Sequence, residues 1–545
     1  MPQPDINRTE RRFDALEAEQ RRAKSSAVQL PQQVALPATG ADTKPLFRLT
    51  GVVIEGATLM RRDALAATYQ PFIGKTVSQA DLVTIAGKIS DLYRAAGFHL
   101  SRAIVPPQDI RRGRIRVQVI EGSIVDVVVK GERAAQFGVQ KMLTPITAER
   151  PSRRATMERA LLLANDLPGM RIADSAIDEL GTGSGRFRLT VTVAPWTNYT
   201  TFSTDNRGTD AIGPWQTYLA SSFNSVLGPG DTVGVNVSTV PDKPHELGFG
   251  RLFYYAPVGT DGARIGASAS YGEQRPGDIR SLIDTVDRSA TFDVRGTVVP
   301  LRTRNASLWL TAGFGVTEAY EDDLFGKDYR DHIRAAYLTA DYQLHDRLNG
   351  WNYLTVGVRQ GLPILGASGR DDPLNSRFDG SGTFTKLTAN YTRYQPLSDA
   401  WSVKLGFAGQ LVSNPLLASE EFYLGSAFGR GYWGAEFSGD NGVGGSFELR
   451  YDQALKYDFL KGYQLYGYVD HTAAWNFHSD GDRLALTLTG VGLRLFLPYD
   501  LQLGAEGAYP LEYRTPFDLP REARGFFYVT KTFRLCPGSH AMRCS

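Results

Sequence analysis

Cysteine is almost missing from this 545-residue sequence: Cys536 and Cys544 are the whole complement, and both fall within the last ten residues. A body built on disulfides or zinc is thereby excluded. The tail pair either closes a small disulfide in an oxidising compartment or stays as two free thiols. The seven histidines are scattered without ligand spacing, so no metal site is expected. Long hydrophobic runs are missing too. No stretch of 18 or more apolar residues occurs, and the mean hydropathy is −0.25. That excludes a transmembrane helix but not a membrane β-barrel, whose apolar half is hidden in alternation. Neither sign of charge dominates, and a formal net charge of +2 gives no reason to expect a nucleic-acid partner. Catalytic signatures are missing as well: there is no GxxxxGK[ST], no GxSxG, no HExxH and no carboxylate pair in a recognisable frame. The glycines of GVGGS, at 442–446, lack the strand–turn–helix setting of a phosphate loop. No catalytic residue and no cofactor are expected.

What is abundant is glycine, at 56, with 25 tyrosines and 27 phenylalanines, which suits the turns and aromatic belts of a barrel, although soluble β-proteins share it. Residues 7–24, NRTERRFDALEAEQRRAK, read as an isolated charged helix with Glu and Arg at i,i+4 spacings. Phe13 and Leu16 are its only sizeable apolar groups, so it is either solvated or sits in a polar cavity. Residues 25–45, with Pro31, Pro37 and Pro45, read as a linker. A compact β-α-α-β-β unit follows over 46–122. Its helical stretch places Leu82, Ile85, Ile89, Leu92 and Tyr93 on one face, between Ser78 as N-cap and Gly97 as C-cap. The same order recurs over 123–195, a duplication of topology rather than of sequence.

From residue 196 to 535 the helical patterns stop, and alternating runs are punctuated by Gly, Asn and Asp. Val233, Val235 and Val237 oppose Gly234, Asn236 and Ser238; Val403, Leu405, Phe407 and Leu411 oppose Lys404, Gly406 and Gln410. In YQLYGYVD, Gln464, Tyr466, Tyr468 and Asp470 share the polar face. In a soluble sandwich the apolar face would be inside; in a membrane barrel it faces lipid and the polar face lines water. At about 9–11 residues per spanning strand, this region accommodates around 16 strands with some long loops. Between two such runs lies the glycine-rich segment 422–450, with Arg430, Gly431 and Tyr432 near its middle. An arginine in such a loop presents a planar fork suited to a carboxylate.

Several stretches in joint order resemble the two-partner secretion transporter family: VPPQDIRRGRIRVQVIEG (105–122), LLLANDLPGM (161–170), DNRG (205–208), GPGD (228–231), then FYLG, GRGY, SGDNG and ELR within 422–450. The resemblance covers nearly the whole chain. It implies a 16-stranded transmembrane β-barrel (196–535) preceded by two α+β POTRA domains (46–122 and 123–195) and an N-terminal plug helix (1–24). A tail, 536–545, would follow the barrel. DNRG would belong to the first barrel strand and GPGD to the turn after it. Loop six, with Gly429, Arg430, Gly431 and Tyr432, would fold into the lumen and pair its arginine with a wall carboxylate, here Asp470. The family's triplet is usually preceded by valine or isoleucine, where this sequence has Gly429, and its carboxylate motif usually ends in glycine, where this sequence has Thr472. Barrels of this class commonly finish on an aromatic residue read by barrel-assembly machinery; Phe533 would hold that place.

The resemblance further implies export of an unfolded adhesin- or haemolysin-type exoprotein with an N-terminal secretion domain, without ATP, from a bacterial outer membrane with the POTRA domains in the periplasm. The exoprotein, outer-membrane lipids and the assembly machinery are the implied partners. Candidate docking edges are 99–105 and 171–180, with His99, Leu100, Arg102, Ile104, Arg171 and Ile172; the alternative is ordinary strands with covered edges. An outer-membrane protein insertase of the same superfamily is the alternative function. Residues 1–24 lack the apolar core of a signal peptide, so the expectation is a start downstream of one, or a mature form.

Overall fold

The computed structural model describes residues 5–24, 42–132, 134–195, 198–209, 211–423, 428–430, 438–477, 484–514 and 522–535. Two compact units result, one holding Met1–Lys24 with nearly all residues from Trp196 onward, the other Ser25–Pro195.

The second unit contains two small α+β modules. In the first, Gly51–Glu55 runs parallel to the central strand Arg114–Ile120, and Arg102–Ile104 lies antiparallel on its other side. Helix Gln79–Ala95 starts where expected: the Ser78 hydroxyl accepts from the Asp81 N–H while the Asp81 carboxylate accepts from the Ser78 N–H. Its apolar stripe, Leu82, Ile85, Ile89 and Tyr93, packs with Ile115, Val117 and Val119 from the sheet into one core. Gly97, at φ +90°, follows the helix end. The second module repeats the sheet order, with Ser123–Lys130 parallel to the central Arg186–Pro195 and Met170–Glu179 antiparallel at the edge.

The other unit is a closed barrel of 16 strands, every neighbour antiparallel. In chain order these are β1 (Asn198–Asp205), β2 (Gln216–Asn224), β3 (Thr232–Thr239), β4 (Leu247–Val258), β5 (Ala263–Gln274), β6 (Val286–Arg302), β7 (Ala306–Asp323), β8 (Gly326–His345), β9 (Trp351–Gly361), β10 (Thr385–Pro396), β11 (Trp401–Val412), β12 (Asn441–Ala454), β13 (Gly462–Trp475), β14 (Leu484–Leu497), β15 (Leu501–Arg514) and β16 (Arg524–Leu535). β16 closes on β1 with Leu535 opposite Asn198 and Tyr528 opposite Asp205. Val235, Leu252, Leu405, Leu411 and Leu465 are exposed on the outside, while Asn236, Arg251, Gln410 and Gln464 are buried toward the bore. An apolar exterior and a polar interior are what a lipid-facing barrel requires.

Short turns gather at one end, where the chain enters β1, and long loops at the other. GPGD occupies the turn after β2, not after β1, because DNRG closes β1 at the long-loop end and one more strand is needed to return. β6, β7 and β8, at 17, 18 and 20 residues, exceed the expected span. Their excess lies at the long-loop end, where Ser376 of the β9–β10 loop bonds the Asp331 carboxylate through its N–H and hydroxyl.

Candidate functional site: loop six and the plug in the barrel lumen

The loop between β11 and β12 turns inward. Its limbs Phe422–Tyr423 and Ser438–Gly439 pair antiparallel, and at its inner end Gly429 and Arg430 meet β12 and β13. The Arg430 guanidinium grips Asp470 with two hydrogen bonds, Nε to Oδ2 at 3.0 Å and Nη2 to Oδ1 at 3.1 Å. Nη1 reaches Glu448 at 2.6 Å and Nη2 also reaches the Ser446 hydroxyl at 3.1 Å. Its flat face lies 3.8 Å from the centroid of the Tyr468 ring. The backbone joins in: the N–H groups of Gly429 and Arg430 both point at Asp470 Oδ2, at 3.2 and 3.4 Å. Gly429 has φ +82°, a conformation that strains a β-branched residue. In this chain the glycine lets both N–H groups converge on one oxygen. Asp470 and Glu448 are fully buried; Arg430 is the cation that compensates Asp470 in this confined site, while Glu448 is also paired with Arg450 at 2.6 Å and Arg494 at 3.5 Å. Gly431, Tyr432, Cys536 and Cys544 lie outside the described residues.

Two parts of this arrangement escape sequence reasoning. Glu448 sits on β12 opposite Tyr468, and Ser446 opposite Asp470; the parity of GVGGSFELR, with Val443, Phe447 and Leu449 outward, was the available signal. The glycine-rich stretch is largely strand, and its glycines make a seat. A Cβ on Gly444 would stand 2.7 Å from the Phe428 ring, one on Gly406 also 2.7 Å from it, and one on Gly442 2.1 Å from the Phe422 ring. Loop-six aromatics therefore rest directly on the backbone of β11 and β12. Thr472, where the family has glycine, is buried on the same face and bonds the Val443 carbonyl at 3.3 Å.

Helix α1 (Asp5–Lys24) lies against the inner wall. It begins two residues earlier than predicted, and the gain matters, because Ile6 is buried together with Phe13 among Ile212, Tyr218, Val240, Leu247 and Phe249. Phe13 stacks on Phe249 at 5.8 Å. Around this small apolar patch the contacts are ionic: Arg12 with Asp205 at 2.5 Å, Asp14 with Arg251 at 2.6 Å, and Glu10 accepting from Ser270 at 2.9 Å. Arg11 donates to the Ser419 carbonyl at the base of loop six, at 3.1 Å. DNRG links the inserts. Arg8 of the helix donates to the Arg207 carbonyl at 2.7 Å, and the Arg207 side chain donates to the Arg430 carbonyl and pairs with Glu506, each at 2.9 Å. Glu506 also accepts from Tyr466 and Tyr468.

The expected docking edges divide. His99 and Leu100 are in a turn, not a strand; the strand is only Arg102–Ile104. Leu100 is buried with its carbonyl packed where a Gly122 Cβ would be, and burial holds the His99 imidazole below its usual range. The Ala103 N–H is taken by the Ser90 hydroxyl at 2.9 Å. Arg102 makes two 2.9 Å bonds to Glu179 of the second module. Burial would raise the Glu179 carboxyl, but Arg102 and the Gly185 N–H hold it below the usual range. Glu121 behaves alike: the cost of burial is outweighed by hydrogen bonds from the Thr58 hydroxyl and N–H and from Tyr93. In the second module Arg171 and Ile172 lie in the ten-residue edge strand Met170–Glu179; Ile172 is buried and its N–H is capped by Asn165 at 2.8 Å.

Comparison with known proteins adds the following. Residues 188–495 match the model of the haemolysin secretion/activation protein family ShlB/FhaC/HecB, and residues 47–122 match the ShlB-type POTRA domain. The heme/hemopexin transporter protein HuxB of Haemophilus influenzae is 23% identical over 456 residues, covering 81% of this chain and 78% of that protein. The outer membrane transporter CdiB of Escherichia coli is 25% identical over 198 residues, 36% of this chain and 33% of that protein. In structure, CdiB from Escherichia coli aligns with TM-score 0.77 at 19% identity, over 98% of this chain and all of that one. CdiB from Acinetobacter baumannii aligns with TM-score 0.68 at 16% identity, again over 98% and 100%.

Proposed function

From the premise that this chain belongs to the haemolysin secretion/activation protein family, we propose that it exports a partner exoprotein across a bacterial outer membrane by the following steps. The exoprotein arrives unfolded in the periplasm, where the two POTRA domains lie. It adds as a strand to the ten-residue edge Met170–Glu179, the edge of the first domain being only three residues long. α1 leaves the bore, and the exoprotein passes through it. Loop six stays, with Arg430 holding the register of the inner wall. Nucleotide hydrolysis plays no part, and folding of the cargo outside gives the process its direction. The family's role is transport, not catalysis. Adhesin- or haemolysin-type cargo with an N-terminal secretion domain fits this route, and a heme- or hemopexin-related cargo does so by analogy with HuxB. Phe533, outward on β16, is the residue offered to the barrel-assembly machinery.

The observation that carries this reading is a closed 16-stranded barrel whose lumen holds the chain's own N-terminal helix. Family membership favours it over the insertase alternative. The test is deletion of this chain in a strain that produces the neighbouring exoprotein. Loss of the exoprotein from the surface, with other outer-membrane barrels at normal levels, supports export. Depletion of those barrels with the exoprotein still secreted supports the insertase.

A further inference from the structure

Seven turns join the strands at the short-turn end. Solvated turns are built from glycine and short polar residues, and two neighbours obey this: Gly-Thr-Asp-Gly at 259–262 and Thr-Arg-Asn at 303–305. Four consecutive turns add large exposed apolar side chains to such polar residues, as does the β2–β3 turn with Val226 and Leu227. Between β8 and β15 the tips carry Leu348 (73% exposed), Leu397, Tyr457 with Phe459 (72%) and Tyr499 (87%). Tyr457 and Phe459 stack on each other at 5.7 Å and leave their outer faces uncovered. Just inside this arc, the outer wall bears an aromatic row: Trp401 lies 5.1 Å from Tyr451, and Tyr451 lies 6.4 Å from Tyr463. Such a row on a lipid-facing barrel marks the boundary of the hydrocarbon. On an ordinary barrel the chain turns polar beyond it; here large apolar side chains recur past the row, at tips shared with charges such as Arg347, Lys456 and Asp458.

We infer that the four turns from β8 to β15 are seated in the phospholipid headgroup layer, so that the barrel is immersed more deeply on that side than at the turns of β4–β7. The occupant is the bilayer interface. Continuity with the lipid-facing wall argues for it, as does the choice of Leu, Phe and Tyr, residues that gain from partial transfer out of water. The inference rests on the membrane-barrel reading, and the test separates the two.

The experiment uses the full chain with Cys536→Ser and Cys544→Ser, carrying one nitroxide on Leu348→Cys, Phe459→Cys or Tyr499→Cys. Leu405→Cys on the outer wall and Asn305→Cys on a polar turn are the references. In vesicles of phosphatidylethanolamine and phosphatidylglycerol, collisions with oxygen report lipid, and collisions with a water-soluble nickel chelate report water. The expected result is an oxygen-to-nickel relaxation ratio at all three tips that lies between the high value of Leu405 and the low value of Asn305. Tips that behave like Asn305, or that neither reagent reaches, overturn the inference. A Leu405 label that reports water overturns the membrane reading itself.

Discussion

Loop six and α1 lie in the same bore and both meet buried charges of the wall, Asp470 and Glu448 for the loop and Asp205 and Arg251 for the helix, yet the inserted side chains differ: Arg430 is 17% exposed, whereas Arg12 is 34% and Asp14 53% exposed. The loop is fixed by one dense cluster: four side-chain hydrogen-bonding groups (Arg430, Asp470, Glu448 and Ser446), two backbone N–H groups, an aromatic face and a seat of glycines. The helix is held by scattered single ion pairs around a patch of two apolar side chains. Withdrawing Arg430 strands the enclosed Asp470 out of water, while Arg12 and Asp14, already partly solvated, recover hydration as the helix departs and its exit opens Asp205 and Arg251 to the bore. Two inserts of similar polarity thereby acquire different release energies, in keeping with the proposed route in which the helix leaves and the loop stays.

Breaking the loop's side of this contrast should have the largest effect. Arg430→Ala leaves the buried Asp470 carboxylate without its cation, while Glu448 keeps Arg450 and Arg494; the stranded charge costs about 3–5 kcal/mol. Export should fall sharply while the barrel still inserts, and loop six should become sensitive to external protease; unchanged export would remove the loop from the mechanism. On the helix side, Phe13→Ala takes away the ring that packs on Phe249 and Tyr218, up to about 3 kcal/mol. Planar-bilayer conductance should rise toward that of a chain lacking residues 1–24, and equal conductance in all three would mean that the helix does not block the pore. Gly444→Val sharpens the picture of the seat. Its side chain meets the Phe428 ring and should cost about 1–3 kcal/mol of loop docking. The neighbouring Gly445→Val, on the outer face with no ring nearby, should be almost silent in the same protease assay.

The smallest expected effect lies outside the lumen. Glu121 and Glu179 are both held below the usual carboxylate range in the folded protein. Their contribution to the POTRA modules is therefore complete above that range and is lost as the pH falls through it. Hydrogen exchange of residues 42–195 should quicken on acidification through the carboxylate range and stay level from there to neutrality. Glu179→Gln should remove part of that dependence.

The barrel was legible because its signal is local. Parity put Val235, Leu405 and Leu465 on the apolar face of their strands and Asp470 on the polar one; the barrel reading turned the apolar face outward, and span length with the family resemblance supplied the strand number. Asp470 could be matched to Arg430 through a family resemblance, but Glu448 could not. Its part in the cluster exists only once the β12–β13 register sets it beside Tyr468, and nothing in the spacing of GVGGSFELR states that register. The glycine seat was hidden for the same reason: Gly406 and Gly444 come together with Phe428 through tertiary packing, and glycine by itself reads as turn. Ile6 was missed because a helix so rich in charge shows no stripe from which to extend its start. His99 and Leu100 were read into a strand because FHLSRAIV alternates. The chain needs that length to turn after Gly97, however, so regular pairing begins only at Arg102.

Departure of the helix with retention of the loop is open to a test with paired cysteines. One chain carries Glu10→Cys with Ser270→Cys, which ties α1 to the wall; another carries Phe428→Cys with Gly444→Cys, which ties loop six to its seat. Export of the exoprotein is measured before and after oxidation. The account predicts that the helix tether stops export until it is reduced and that the loop tether leaves export intact. Export through a tethered helix, or a block imposed by the tethered loop alone, would contradict it.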